Sequence, residues 1–463
     1  YYYFGYLLVA DLARLTGIPT AYLYNLALGM WFALSFTAAY EIGYTLTGRI
    51  RYALLSGVML AICGNLDGAF QLLDGHVADF SYWKSSRIVD PDNTINEFPF
   101  FSFIHADLHP HVMSIPILLL LLFLLLRLLQ RPALVLEGSF FEVKKLPRWL
   151  LLAVVLGALP CTNVADVPTF WGLTCLTFGL LILRPRSESA EISSPGFFAR
   201  VRSVAPAAVV PLVVGYLLYL PFHRYFQSAQ VQGLGWVSRR SVWTEFMVVH
   251  GLFFFVLVAD LATRLGPLDP ARARERREPY YVLLGAIGIG LGLILDSLIL
   301  GLMSAMTVAL FVSWCRPTRD VAPDEDYVSL LTLGALGLLA GCEVVFVRDF
   351  YGGELERLNT VFKFYYQAWI LLALITPWCL FKLGQRFAGV PGFRFWRWGF
   401  FVLLTATLVY PVLGTRARYF REPPANTLYG MDHLVDWHAD EHEAMLWLQQ
   451  AAPRDARLLE LSG

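Results

Sequence analysis

A series of apolar blocks, each roughly 17–25 residues long, constrains this chain more than any other feature, because that length carries a helix across a ~30 Å hydrocarbon core. The clearest is PHVMSIPILLLLLFLLLRLLQ, residues 110–130. In hydrocarbon every backbone N–H and C=O must find a partner inside the protein, so isolated blocks of this kind fold as helices. Composition agrees: 57% of residues are hydrophobic and 16% charged, against about 25% charged in average chains. The expected fold is all-α, a polytopic transmembrane helical bundle. Lys+Arg and Asp+Glu both number 36, so there is no basic footprint for nucleic acid. The six cysteines stand singly in or beside apolar blocks, giving neither CxxC pairs nor a disulfide framework.

The pattern predicts spans near 19–46, 51–67, 110–130, 148–162, 168–184, 204–221, 245–264, 280–295, 297–315, 327–347, 361–383 and 397–413. Residues 1–18 are too short and too tyrosine-rich for a span, and read as a juxtamembrane helix lying in the headgroup zone. Basic residues collect in alternate connections: Arg49 and Arg51, Arg127 to Arg148, Arg184 to Arg202, Arg264 to Arg277, Arg316 and Arg319, and Lys382 to Arg397. By the positive-inside rule that face is cytoplasmic. Helix 1–18, loops 67–109, 163–167, 222–244 and 347–360, and the segment 414–463 then lie outside, flanking a transmembrane domain over 19–413. The cytoplasmic connections RPRSESAEISSPG and DPARARERREP read as plain solvated linkers. No signal peptide is visible, and a chain that opens on Tyr1 and stops at RLLELSG reads as the middle of a longer protein.

The sharpest chemistry is HADLHPH, residues 105–111. His105, Asp107, His109 and His111 stand at alternate positions where a polar loop enters an apolar helix, and ionisable groups there cost free energy unless something uses them. Asp107, His109 and His111 suit a divalent metal, Mg or Mn, and the cluster equally suits phosphate binding or proton transfer. A structural alternative is that Asp107 or His109 caps the helix starting at Pro110. Asp67 in NLDG is read either as orienting a ligand hydroxyl or as an ordinary Asp-Gly turn. Lys84 and Arg87 have the chemistry to grip a phosphate, as do Arg239 and Arg240 between Trp236 and Trp243. In NVADVPTF, Asp166 reads as a turn residue. In RLNTVFKFYYQAW, Asn359 and Lys363 share a helix face with Tyr366 and Gln367, a polar stripe expected to face a cavity. The His- and acid-rich MDHLVDWHADEHEA reads as an amphipathic helix with a solvated face.

Three stretches, YYYFGY, HADLHPHVMSIP and RLNTVFKFYYQAW, resemble the Chlor_Arch_YYY integral membrane proteins of archaea and Chloroflexi. The likeness covers nearly the whole chain. That family is grouped with the GT-C membrane glycosyltransferases, and residues 1–36 are similar to the stretch of the protein-mannosyltransferase and aminoarabinose-transferase branch where a juxtamembrane helix leads into the second span. The resemblance implies a prokaryotic plasma-membrane enzyme that takes sugar from a polyprenyl-phosphate donor on the extracytoplasmic face. Under it, Arg239, Arg240, Arg357 and Lys363 hold the lipid phosphate, with Lys84 and Arg87 in reserve. His105, Asp107, His109 and His111 line the reacting centre, and Tyr1, Tyr2 and Tyr3 stack on sugar or acceptor. The hallmark acid of GT-C enzymes lies upstream of the matched helix, so no residue takes the base role by motif. The competing classes are a lipid or glycolipid transporter or flippase, and a non-catalytic membrane assembly protein.

Overall fold

A computed structural model describes residues 2–90, 92–184, 196–226, 231–265, 278–314, 321–420, 427–453 and 456. Its helices are α1 Phe4–Thr16, α2 Thr20–Thr47, α3 Ile50–Ala61, α4 Asp67–Leu73, α5 Pro99–His105, α6 Pro110–Gln130, α7 Ala133–Leu136, α8 Leu146–Thr162, α9 Val167–Leu183 and α10 Phe197–Leu218. They continue with α11 Leu220–Tyr225, α12 Trp243–Leu265, α13 Glu278–Ile294, α14 Leu298–Trp314, α15 Pro323–Cys342, α16 Leu358–Arg386, α17 Pro391–Tyr419, α18 Asp432–Trp437 and α19 Ala439–Ala451. Among the described residues eight helices are long and apolar enough to cross a membrane, and α3, α8 and α14 are shorter apolar helices. The chain is a helical membrane protein.

Helix α16 is the axis of the bundle: 89% of its most apolar window is buried, against 22% for α10 and α17. It packs against α2, α3, α12 and α15. Lipid tails are as apolar as leucine, so spans associate through close backbone approach and interhelical hydrogen bonds. Both are present. Trp369 Nε1 donates to the Met59 carbonyl at 3.2 Å and Trp31 Nε1 to that of Met113 at 3.0 Å. Helices α8 and α10 meet at Gly157 and Gly215, where a Cβ on Gly157 would stand 2.5 Å from the Gly215 carbonyl oxygen.

Several boundaries depart from the hydropathy pattern. The expected span 51–67 stops as a helix at Ala61. The following non-helical backbone is satisfied from outside, with Gly64 N–H donating to Thr407 O at 3.1 Å and Leu66 N–H to Val248 O at 3.0 Å. Irregular backbone at membrane depth is tolerated where protein supplies those partners. The divisions expected at 163–167 and Asp296 are present, the second as a turn with Asp296 at φ 48°. The expected span 327–347 stops as a helix at Cys342, and its end pairs with loop 222–244 in an unexpected antiparallel ribbon, β1 Gly233–Trp236 with β2 Val345–Arg348, in the register Gly233 to Arg348 and Trp236 to Val345. Residues 432–451 form two short helices, and Gly430 N–H just before them donates to Ala21 O of α2 at 2.9 Å. Tyr1 and most of the two linkers expected on the cytoplasmic side, including Arg186, Arg272, Arg274, Arg276 and Arg277, lie outside the described residues, as do Arg316 and Arg319.

Candidate functional site

The HADLHPH stretch is a corner between two helices. Its Ala106, at φ 65°, takes a left-handed conformation that costs a residue with a Cβ about 1–2 kcal/mol. Pro110 then starts α6 with its φ already set for a helix. This reversal separates histidines that lie close in sequence. His105, in the last turn of α5, stacks on Phe101 (centroids 5.6 Å, 13° between planes) and lies against Trp83 at 5.6 Å. The other two, His109 and His111, face Phe362 of α16.

Asp107 and His109 form a pair, with His109 Nδ1 2.9 Å from Asp107 Oδ2 and both side chains nearly half exposed. An ionised carboxylate only accepts, so Nδ1 carries the proton and Nε2 keeps its lone pair. That hydrogen bond, opposed by partial burial, holds the Asp107 carboxyl below its ordinary value. Tyr24 of α2 braces the corner by accepting from Leu108 N–H at 3.0 Å. His111 is buried, with Nε2 3.4 Å from Glu97 Oε2, and Ser102 Oγ donates to the same carboxylate at 3.0 Å. Burial would raise the Glu97 carboxyl, but the His111 and Ser102 hydrogen bonds and the Arg87 charge outweigh it and hold it low.

From the facing side, α16 supplies Lys363, Tyr366 and Gln367. Gln367 Nε2 donates to Asp166 Oδ1 at 2.9 Å, and Gln367 Oε1 accepts from Thr169 Oγ1 at 2.6 Å. Asp166 is 2% exposed, and its second oxygen has no hydrogen-bond partner among the described residues, while Ser114 and Asn163 also act on its carboxylate. Lys363 Nζ lies 4.0 Å from the Phe362 ring centroid, and among the described residues it makes no hydrogen bond or ion pair. Glu97, Asp166 and Asp107 all act on it electrostatically. Phe362 also touches both histidines, its centroid 4.8 Å from His111 and 6.4 Å from His109. The result is a polar cluster at one end of the bundle, in which a half-exposed His-Asp pair and a lysine without a hydrogen bond or ion pair among the described residues come within electrostatic reach of one another.

The remaining sequence candidates divide. Tyr2 packs on Phe226 at 5.3 Å and Tyr3 on Phe222 at 5.4 Å. Asp166 reaches Tyr2 electrostatically, so the segment leading into α1 lies near the cluster. Arg357 does not face it. Only 3% exposed, it binds Glu343 Oε1 at 2.9 Å and the carbonyls of Arg239 and Cys342 at 2.7 and 2.9 Å. Arg240 is spent on the carbonyls of Glu343 and Leu295, and Arg239 is 72% exposed beside Asp90. Asn359 turns to Asp349 at 2.7 Å, away from the stripe expected with Lys363. Asp67 accepts from Gln71 and Ser85, both at 2.6 Å, and locks the first loop internally. Lys84 is exposed, and Arg87 stacks over Trp83 at 4.3 Å. Asp107, His109 and His111 do not converge as a metal set, because His109 and His111 turn to different carboxylates. No group of three or more His, Cys, Asp or Glu side chains among the described residues is arranged to hold a metal.

Two residues of the cluster escaped sequence reading. Asp166 reads from the sequence as a turn residue before Val-Pro, and Glu97 is not singled out. In the fold Asp166 is buried and Glu97 mostly covered, Asp166 bonded to Gln367 of α16 and Glu97 beside His111 of α6. A bundle with eight described helices long and apolar enough to cross a membrane defines a polytopic membrane protein. The sequence matches the uncharacterized membrane protein family DUF2298 over residues 1–372, and the chain belongs to that family. No curated protein and no solved structure matches it.

Proposed function

We propose that the protein is a membrane glycosyltransferase that takes sugar from a polyprenyl-phosphate donor, with the cluster as its active site on the extracytoplasmic face. The observation that carries this reading is the juxtaposition of an oriented His-Asp pair with Lys363, which no carboxylate neutralises by direct contact. Such a transfer needs a base for the acceptor hydroxyl and a cation for the departing lipid phosphate. His109 Nε2 is free to take the hydroxyl proton, Asp107 fixes the tautomer and stabilises the imidazolium that forms, and Lys363 meets the developing phosphate charge. The sugar–phosphate bond breaks as the acceptor oxygen bonds to the sugar, and the electron pair leaves with the lipid phosphate. Asp166, Gln367 and Glu97 hold the cluster in place. The face assignment rests on the basic residues of the alternate connections. No step is routed through a metal.

The test is transfer from a polyprenyl-phosphate sugar by full-length protein in nanodiscs. Lys363→Ala and His109→Ala are expected to abolish transfer while leaving membrane insertion intact, and polyprenyl phosphate is expected to raise the melting temperature of the wild type more than that of Lys363→Ala. Wild-type rates in both variants would overturn the site. Lipid movement across the bilayer without transfer would favour the transporter class.

A further inference from the structure

A second polar cavity opens at the other end of α16. It has a volume of about 330 Å³ and is lined by Asp260 and Arg264 of α12, Glu325 of α15, and Trp378, Lys382 and Arg386 of α16. Lys382 stands about 28 Å further along the helix axis than Lys363, at about 1.5 Å per residue. That is close to the ~30 Å of a hydrocarbon core, which puts this cavity at the opposite membrane boundary.

Its electrostatics are lopsided. Three cations face two carboxylates, and Asp260 is already engaged by Arg264 in an ion pair of 2.6 Å, with both side chains 3% exposed. Arg264 also donates to Ser329 Oγ at 2.9 Å, yet its Nη2 is buried without a hydrogen-bond partner. Trp378 Nε1, on a residue 2% exposed, is likewise buried and unpartnered. The Lys382 ammonium lies 5.3 Å and the Arg264 guanidinium 5.1 Å from the Trp378 ring centroid. Buried donors without acceptors are costly and rare in native structures. Here two of them, an indole and a guanidinium, line one cavity beside a half-buried lysine and an exposed arginine. The missing chemistry is a compact anion with several acceptor oxygens. The volume lies at the small end of ligand sites, and guanidinium and ammonium groups together suit phosphate.

We propose that this cavity binds a phosphate group, supplied either by a phospholipid headgroup or by free phosphate, since both reach the membrane boundary. The proposal is independent of the transferase reading, because it uses none of the residues of that cluster.

The experiment uses full-length protein in a phosphate-free maltoside detergent and follows melting temperature against inorganic phosphate or short-chain phosphatidylglycerol. Matched chloride and short-chain diacylglycerol serve as controls. A saturable rise beyond the controls is expected with at least one probe, and the probe that produces it identifies the source. Lys382→Gln is expected to weaken the response on the order of tenfold or more, as the loss of a charge-assisted contact. Trp378→Phe, which keeps the ring and removes one donor, is expected to weaken it roughly two- to tenfold. Lys363→Ala is expected to leave the response unchanged, which separates this site from the cluster at the other end. No rise beyond the controls with either probe, or a rise that both Lys382→Gln and Trp378→Phe leave intact, would overturn the proposal.

Discussion

Gln367 donates its side-chain amide to the Asp166 carboxylate at 2.9 Å, joining elements 201 positions apart in the chain. Through this bond the central helix holds the turn between α8 and α9, and with it one side of the polar cluster. Replacing Gln367 by Leu removes the donor at 2.9 Å from Asp166 Oδ1 in a buried carboxylate. The expected cost is about 1–3 kcal/mol, read as a lower midpoint of unfolding in detergent. Asp166→Asn, which keeps the shape without the charge, should lose less.

Arg357 and Glu343 make a buried ion pair at 2.9 Å, 3% and 0% exposed, beneath the β1–β2 ribbon. Breaking such a pair from one side strands a charge and costs about 3–5 kcal/mol, whereas removing both partners can be nearly neutral. Arg357→Met is therefore expected to destabilise strongly, and Arg357→Met with Glu343→Leu to recover much of the loss. A double-mutant cycle on melting temperature measures the coupling. No recovery in the double variant would mean that Arg357 acts mainly through the Arg239 and Cys342 carbonyls.

Gly157 and Gly215 let α8 and α10 approach until their backbones touch. A side chain at Gly157 meets a carbonyl oxygen, which cannot swing aside as a flexible side chain can. Gly157→Val is expected to cost about 1–3 kcal/mol as overpacking. Gly172→Ala, on α9 where a Cβ meets nothing within 4 Å, should be neutral or mildly stabilising because alanine favours helix. Equal melting temperatures for the two variants would remove the α8–α10 contact from the stability argument.

Acid sensitivity follows from Glu97. Its neighbours His111, Ser102 and Arg87 hold the folded carboxyl below its ordinary value, and an unfolded Glu titrates near about 4.3. A depressed folded value means that the unfolded state takes up the proton first. The stabilisation is therefore complete above the unfolded value and lost as pH falls through the folded one. Melting temperature is expected to fall more steeply on acidification in the wild type than in Glu97→Gln, which should be less stable at neutral pH. Parallel curves for the two proteins would contradict this role.

How much of this was legible beforehand differs by level. Every span expected from hydropathy corresponds to a helix, because an apolar run of membrane length has one common way to satisfy its backbone. Asp107, His109 and Lys363 could be singled out as ionisable groups at the ends of apolar blocks, but the pairing of His109 with Asp107 could not. What spacing misjudged was direction. The alternating pattern of His105, Asp107, His109 and His111 suggested one converging set, but the left-handed turn at Ala106 sends His105 into an aromatic stack with Phe101. Arg240 and Arg357 looked like phosphate ligands, and the fold spends them on carbonyls and on Glu343.

The sequence by itself determined the class of the protein, a helical bundle of membrane length, because hydrocarbon leaves the backbone little choice. Only the tertiary structure decided which polar side chains serve one another and which remain uncommitted. A carboxylate finds its partner across the bundle, as Asp166 does with Gln367, and no local periodicity records a contact between residues 201 positions apart.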